Sequence, residues 1–308
     1  MDGEEEAGKR LLQWTGERCL PWLGRMEVVY EHLHRYAFAA HLAAGRDVLD
    51  AGSGEGYGTA LLAETARHVT GVDLDPDSVA HAAASYGAPN IDFVQGSVLD
   101  LARFPSASMG LAVCFEVVEH LGEQEMLVEE LRRVVGEKGI VVMSTPDRSV
   151  YRDGEEPNPY HVRELDRDEF VRLLGAAFRE VRILEQRPVS GSVIWSAAEG
   201  FAGGLDGFEA DLEGGAARVR PGSPRGLYLL GVASEGDIPS LPAASVLSDE
   251  QLLQPFRREI DALHLEVERA RRQLQLVRQE LEAMRATRAW RALEAARRVA
   301  SPLWRPGA

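Results

Sequence analysis

Apolar residues follow two rhythms along this chain. Up to about residue 235, short apolar runs alternate with stretches of helical spacing. Val48 and Leu49, approached from Asp47, predict a buried strand, and residues 59–66 resume helical spacing with Leu61 and Leu62 inward. Residues 69–73, 91–95 and 109–115 read as the second, third and fourth strands. Residues 126–135 have helical periodicity punctuated by Gly136 and Gly139. A fifth strand follows at 140–144, a helix at 167–178 capped near Asp166, and two last strands at 180–185 and 227–233. Seven strands with interleaved helices predict an α/β fold with a doubly wound sheet over residues 46–235, preceded by a helical segment (1–45) packed on it. Residues 196–225, rich in Gly and Ala with Pro221 and Pro224, are too long for a plain connection. They are expected to be a partly helical insert or lid near an acceptor, with simple disorder as the alternative.

Beyond residues 236–248, a linker marked by Gly236, Pro239 and Pro242, the period changes. Leu253, Phe256, Ile260, Leu263, Val267, Ala270, Leu274, Val277, Leu281 and Met284 occupy alternating a and d positions over five heptads. Residues 249–286 are therefore expected to form a C-terminal α-helical coiled coil. Homo-oligomerisation is the leading role, and docking back on the body is the other. In 287–308, Trp290, Leu293, Val299 and Trp304 are interspersed with Arg288, Arg291, Arg297 and Arg298. Such a basic amphipathic tail suits peripheral contact with an anionic membrane face, or else is the solvated end of the coil.

Composition narrows the setting. In 308 residues with 45% hydrophobic content there is enough apolar matter for a sizeable core. No apolar run reaches the length of a membrane span. The acidic start, residues 1–7, has no signal-peptide pattern. Cys19 and Cys114 lack zinc-ligand spacing, and a reducing cytoplasm fits. The net charge of −15 is uneven. Residues 249–308 hold 12 arginines against nine acidic residues, a net of +3, and the other 22 basic and 40 acidic residues give the body −18. An acidic body argues against nucleic acid as a partner.

The candidate chemistry begins at Asp50-Ala51-Gly52-Ser53-Gly54-Glu55-Gly56. Glycines tolerate positive φ and admit another molecule close to the backbone. Asp73, at the tip of the second strand, stands where a ribose-binding carboxylate belongs in such a unit. A dinucleotide G-x-G-x-x-G fails in both registers, because its third glycine would fall at Tyr57 or Thr59. The alternating D-x-G-x-G-x-G pattern instead resembles motif I of class I S-adenosylmethionine (SAM) dependent methyltransferases. The resemblance implies a Rossmann-like sheet whose final pair is antiparallel. It also implies a loop backbone that holds the methionine part of the cofactor and an acidic residue, Asp73, on the ribose hydroxyls.

A second constellation is Phe115-Glu-Val-Val-Glu-His-Leu121. If a helix starts here, Glu116, Glu119 and His120 share one face at the carboxyl edge of the sheet. They suit a divalent cation, or His120 suits a general base. His161, in the proline-constrained loop after the fifth strand, is a candidate fourth member. The plainer alternative is that Glu119 and His120 cap a helix and His161 packs a turn.

Five blocks extend the resemblance over roughly residues 16–235. They are Gly16-Glu-Arg18 with Pro21, His34–Phe38, Val48–Gly58, Phe115–Leu121 and Ser144–Leu165. They are similar to class I SAM methyltransferases associated with bacterial surface-polysaccharide and O-antigen gene products. The Glu-x-x-Glu-His block with its downstream His also resembles the ubiquinone-pathway O-methyltransferases and the small-RNA 2′-O-methyltransferases. That likeness implies that Glu116, Glu119, His120 and His161 hold Mg²⁺ or Mn²⁺ on a vicinal diol, with Glu116, His120 and His161 as the catalytic groups. It further implies cofactor contacts from Arg35 to the SAM carboxylate, and from Leu74, Ser97, the Val98 backbone and Phe115. Ser97 departs from the family, which usually places an acidic residue there. Residues 284–291 resemble a segment found beside glycosyltransferase modules, which suggests a glycosyltransferase partner, while the basic tail suggests a cytoplasmic protein peripheral at the inner face of the membrane. The combined expectation is an O-methyltransferase of a glycan or glycosylated metabolite. A quinone or phenol acceptor, RNA 2′-OH, and a non-catalytic SAM-fold scaffold are the alternatives.

Overall fold

The computed structural model describes residues 26–151, 158–189, 208–211, 218–222, 225–242, 244–247, 254–292 and 296. The Gly16–Arg18 block, most of the 196–225 insert and most of the basic tail lie outside them. The chain divides into two compact units, Met1–Leu247 and Ser248–Ala308.

In the first unit, helix α1 (Met26–Ala43) leads into strand β1 (Asp47–Ala51), α2 (Tyr57–Ala63), β2 (His68–Asp73), α3 (Pro76–Tyr86) and β3 (Ile91–Gln95). Then come β4 (Leu111–Phe115), α4 (Gln124–Val135), β5 (Ile140–Pro146), the short α5 (Arg148–Tyr151), α6 (Arg167–Gly175) and β6 (Glu180–Gln186). A separate hairpin, β7 (Phe208–Asp211) with β8 (Arg218–Pro221), precedes β9 (Tyr228–Ser234). The hairpin occupies part of the segment expected to be partly helical, and its described residues are extended.

The seven-stranded sheet runs β3-β2-β1-β4-β5-β9-β6. Pairing is parallel from β3 through β5, whereas β9 is antiparallel to both β5 and β6. The order reverses between β1 and β4, and ligands of open α/β sheets bind outside the carboxyl ends at such a switch point.

Strands covered on both faces read as continuous apolar runs, and every residue of β4 and β5 is buried. Alternate side chains divide the core into two layers. Val48, Leu111, Val113, Ile140 and Val142 pack with Tyr36, Ala39 and Leu42 of α1 and Leu62 of α2. Leu49, Ala112, Cys114, Val141 and Met143 pack with Leu127 and Leu131 of α4 and Phe170 and Leu174 of α6. Each fully buried Leu, Val or Ile contributes about 1.5–3 kcal/mol. The expected cap at Asp166 is a capping box, in which Asp166 accepts from Glu169 N at 2.9 Å and Glu169 accepts from Asp166 N at 3.0 Å.

The second unit contains α7 (Gln254–Ala286), 33 residues long. Among the described residues no helix is long and apolar enough to cross a membrane.

Candidate active site

Two chain turns meet at the carboxyl edge of the sheet. The first follows β1, where the buried Ala51 gives way to Gly52, Gly54 and Gly56, all with positive φ (87°, 54° and 97°). Gly52 N and Ser53 N donate to Val72 O at 2.8 and 3.0 Å, which folds the loop over the end of β2. Asp73 secures it, accepting from Gly54 N at 2.8 Å and Asp75 N at 2.9 Å. The three glycines differ in their surroundings. A Cβ on Gly56 would lie 2.6 Å from Ala82 Cβ and 2.9 Å from the Phe93 ring, and one on Gly52 would lie 2.4 Å from Val117 Cγ2. A Cβ on Gly54 would meet nothing within 4 Å. The loop is thus packed from below and open at Gly54. A cradle with backbone exposed on its outer side fits a nucleoside cofactor.

Beneath the loop, the buried Asp50 carboxyl accepts from Thr59 Oγ1 at 2.7 Å and Tyr36 OH at 3.2 Å. Burial pushes its pKa up to about 7; those two hydrogen bonds pull the other way and the charge of Asp73 adds a smaller upward push. Asp50 supports the loop from within. Tyr36 also packs edge-on against Phe115 at 5.1 Å between ring centroids.

The other expected cofactor contacts fall around the same edge. Leu74, next to Asp73, is 72% exposed, an apolar surface that a flat heterocycle could cover. Ser97 Oγ accepts from Leu99 N at 3.1 Å, so its hydroxyl is engaged in its own turn. The Val98 side chain belongs to the core, and only its backbone can face a ligand.

The second turn follows β4 and departs from the expected helix. Only residues Val118–His120 form a helical turn, of 3-10 type. Glu116 lies before it in the left-handed region, at φ 53°. Its Oε1 accepts from Ser144 Oγ at 2.6 Å and stands 3.1 Å from Arg35 Nη1, while Glu116 N donates to Ser144 Oγ at 3.1 Å. Glu116 is thus tied to α1 and β5 and is not among the residues whose ligand atoms converge around Glu119 and His120. Arg35 is 1% exposed, donates from Nε to Gln186 Oε1 at 2.6 Å, and lies 4.4 Å above the Tyr228 ring. Its Nη2 has no hydrogen-bond acceptor among the described residues.

Glu119, His120 and His161 do come together, each offering a ligand atom within 4.8 Å of the others. The backbone explains how a residue some 40 positions downstream arrives there. Val162 N and Arg163 N donate to Glu119 O at 2.8 and 3.1 Å. Gln124 Nε2 donates to both Val118 O and Arg163 O, at 2.8 and 2.7 Å. The rings are oriented from behind. His120 Nδ1 is 3.0 Å from Tyr160 O, which can only accept, so in the neutral ring Nδ1 carries the proton and Nε2 has the lone pair. His161 Nδ1 is 2.7 Å from Glu164 Oε1, and its Nε2 is 3.1 Å from Asn158 Nδ2, a donor that a ligand at Nε2 has to displace. Such outer partners characterise metal-binding histidines, and two imidazoles with a carboxylate suit a borderline divalent cation. Sequence reasoning missed Glu164, Tyr36, Thr59 and Ser144. Glu164 had a signal in the spacing His-x-x-Glu, and Thr59 follows the glycine run directly, whereas Tyr36 and Ser144 act from α1 and β5.

Residues 49–143 match the methyltransferase domain family. The chain is 42% identical over 190 residues to a probable S-adenosylmethionine-dependent methyltransferase of Mycolicibacterium smegmatis, covering 59% of this chain and 70% of that protein. A probable S-adenosylmethionine-dependent methyltransferase of Mycobacterium tuberculosis is 40% identical over 177 residues, covering 54% of this chain and 61% of its own length. A ubiquinone biosynthesis O-methyltransferase of Paracidovorax citrulli is 35% identical over 108 residues, covering 34% of this chain and 45% of that one.

Proposed function

Because the chain belongs to the S-adenosylmethionine-dependent methyltransferases, we propose that it methylates a hydroxyl oxygen with the help of a divalent cation. The observation that carries this reading is the Glu119–His120–His161 group, set beside the glycine turn at one sheet edge. The two turns touch where Gly52 faces Val117. SAM supplies a methyl on an already activated sulfonium, and a cation such as Mg²⁺ or Mn²⁺ supplies charge that lowers the pKa of the acceptor hydroxyl. The protein's task is then mostly positioning.

Gly54 offers its open side to the methionine portion, and Asp73 has remaining lone pairs for the ribose hydroxyls. Arg35 Nη2, buried and without an acceptor, suits the cofactor's carboxylate. Glu119, His120 and His161 would hold the cation, with Glu164 and Tyr160 fixing the rings. A cation held there would place its charge beside a vicinal diol of the acceptor. When no cation is bound, the His120 Nε2 lone pair is the group able to take the hydroxyl proton.

A glycan or glycosylated metabolite is our favoured acceptor, since sugars supply vicinal diols and the body is acidic. A phenol or quinol is the second reading, favoured by the match to a ubiquinone biosynthesis O-methyltransferase. The test is transfer of labelled methyl from SAM to sugar-diol and catechol panels, with and without EDTA. Transfer lost on chelation and restored by Mn²⁺ is expected. Transfer indifferent to EDTA rejects the cation, and a product methylated on nitrogen or carbon rejects the hydroxyl. Catechol as the only accepted class replaces the glycan.

A further inference from the structure

We propose that α7 pairs with the same helix of a second copy of this chain as a parallel, in-register, two-stranded coiled coil. Leu263, Val267, Leu274, Val277, Leu281 and Met284 are each between 39% and 55% exposed and, with Ala270, recur at alternating spacings of four and three. A helix of 33 residues is about 50 Å long. An apolar stripe sustained over that length has to be covered.

The flanking positions say by what. With Val267, Leu274 and Leu281 at a, the g positions carry Glu266, Gln273 and Glu280, and the e positions carry Arg271, Arg278 and Arg285. In a parallel pair each g residue faces the e residue of the next heptad on the other strand. That sets Glu266 against Arg271, Gln273 against Arg278 and Glu280 against Arg285, with no like-charged pair. An antiparallel pair sets g against g and e against e, which opposes glutamate to glutamate and arginine to arginine. A second copy thus satisfies the acidic and basic flanks together, in one orientation. Both copies of residues 1–247 then precede the same end of the seam.

The full chain tests this by light scattering and cross-linking. The expected mass is that of two chains, falling to one in Leu274→Asp/Val277→Asp. Glu266→Arg/Glu280→Arg also dissociates the pair at low salt, and adding Arg271→Glu/Arg285→Glu in the same chain restores it. In a Cys19→Ser background, Met284→Cys forms a disulfide-linked dimer under mild oxidation, because only parallel strands bring the two 284 positions together. A wild-type mass of one chain, a charge reversal without effect, or failure of the 284 cross-link in a chain of two-copy mass each overturns the proposal.

Discussion

The turns after β1 and β4 leave the same sheet edge, and both place backbone in the left-handed region, by opposite means. After β1 the positions are glycines, so the conformation costs little and the missing side chains make room for neighbours. After β4 the residue is Glu116, whose side chain is tied to Ser144 and Arg35. A non-glycine residue at positive φ persists only when its surroundings over-determine it. One helix braces both turns. Arg35 of α1 holds Glu116, and its neighbour Tyr36 holds Asp50 under the glycine loop. The lesson is that a turn made by absence tolerates no additions, whereas a turn made by tethers tolerates no deletions.

The hardest way to break this contrast is Gly52→Ala. The added methyl lands 2.4 Å from Val117 Cγ2, at a residue with φ 87°. Left-handed backbone and overpacking together cost about 3 kcal/mol, a fall in melting temperature of roughly 10 °C for a unit of this size. Cofactor binding by calorimetry is expected to be lost. Adding Val117→Ala removes the collision and leaves the backbone cost, so about half the lost stability returns. A double variant as unstable as the single would show that steric contact is not what fixes Gly52.

The tethered turn is tested by deletion. Glu116→Gln leaves Arg35 charged in surroundings where it is 1% exposed, and is expected to cost about 3 kcal/mol. Arg35→Met costs less, about 1–2 kcal/mol, because the Glu116 side chain is 17% exposed and can be partly hydrated. The double variant is expected to lose less than the two singles together, as groups in contact do. Denaturant unfolding measures all three. The same variants sharpen the site. Glu119→Gln should weaken Mn²⁺ binding by at least tenfold, whereas Glu116→Gln should leave it within about threefold. A large Mn²⁺ defect in Glu116→Gln would return Glu116 to the cation set.

These differences also explain what could be read from the chain in advance. The strands of the main sheet were legible because both faces are covered and the apolar runs are unbroken, as in 111–115 and 140–146. The glycine loop was legible because absent side chains leave a mark in sequence. Glu116 misled because the inference from i, i+3 and i+4 assumed α-helix, whereas the chain forms a single 3-10 turn after a left-handed residue. Nothing local announces that Arg35, some 80 positions earlier, captures it. His161 was legible as a candidate through its loop, yet its approach to His120 depends on the Gln124 and Glu119 clamps, which are tertiary.

The last test concerns Asp50, the carboxyl under the glycine turn. Its folded pKa of about 7 stands above the value near 3.9 of an unfolded aspartate. The folded chain therefore binds this proton more tightly than the unfolded chain. Stability from this group is complete below about pH 4, declines by up to about 1.4 kcal/mol per pH unit, and is lost by about pH 7. Asp50→Asn keeps an acceptor for Thr59 and Tyr36 without a charge to bury. The variant is expected to match the wild type near pH 4 and exceed it at pH 8, with the difference opening between those values. Urea unfolding across pH 4–8 measures it. A variant that follows the wild-type pH profile, or falls below it at pH 8, would mean that the loop needs the ionised carboxylate. The buried acid would then belong to the cofactor site itself rather than to the floor beneath it.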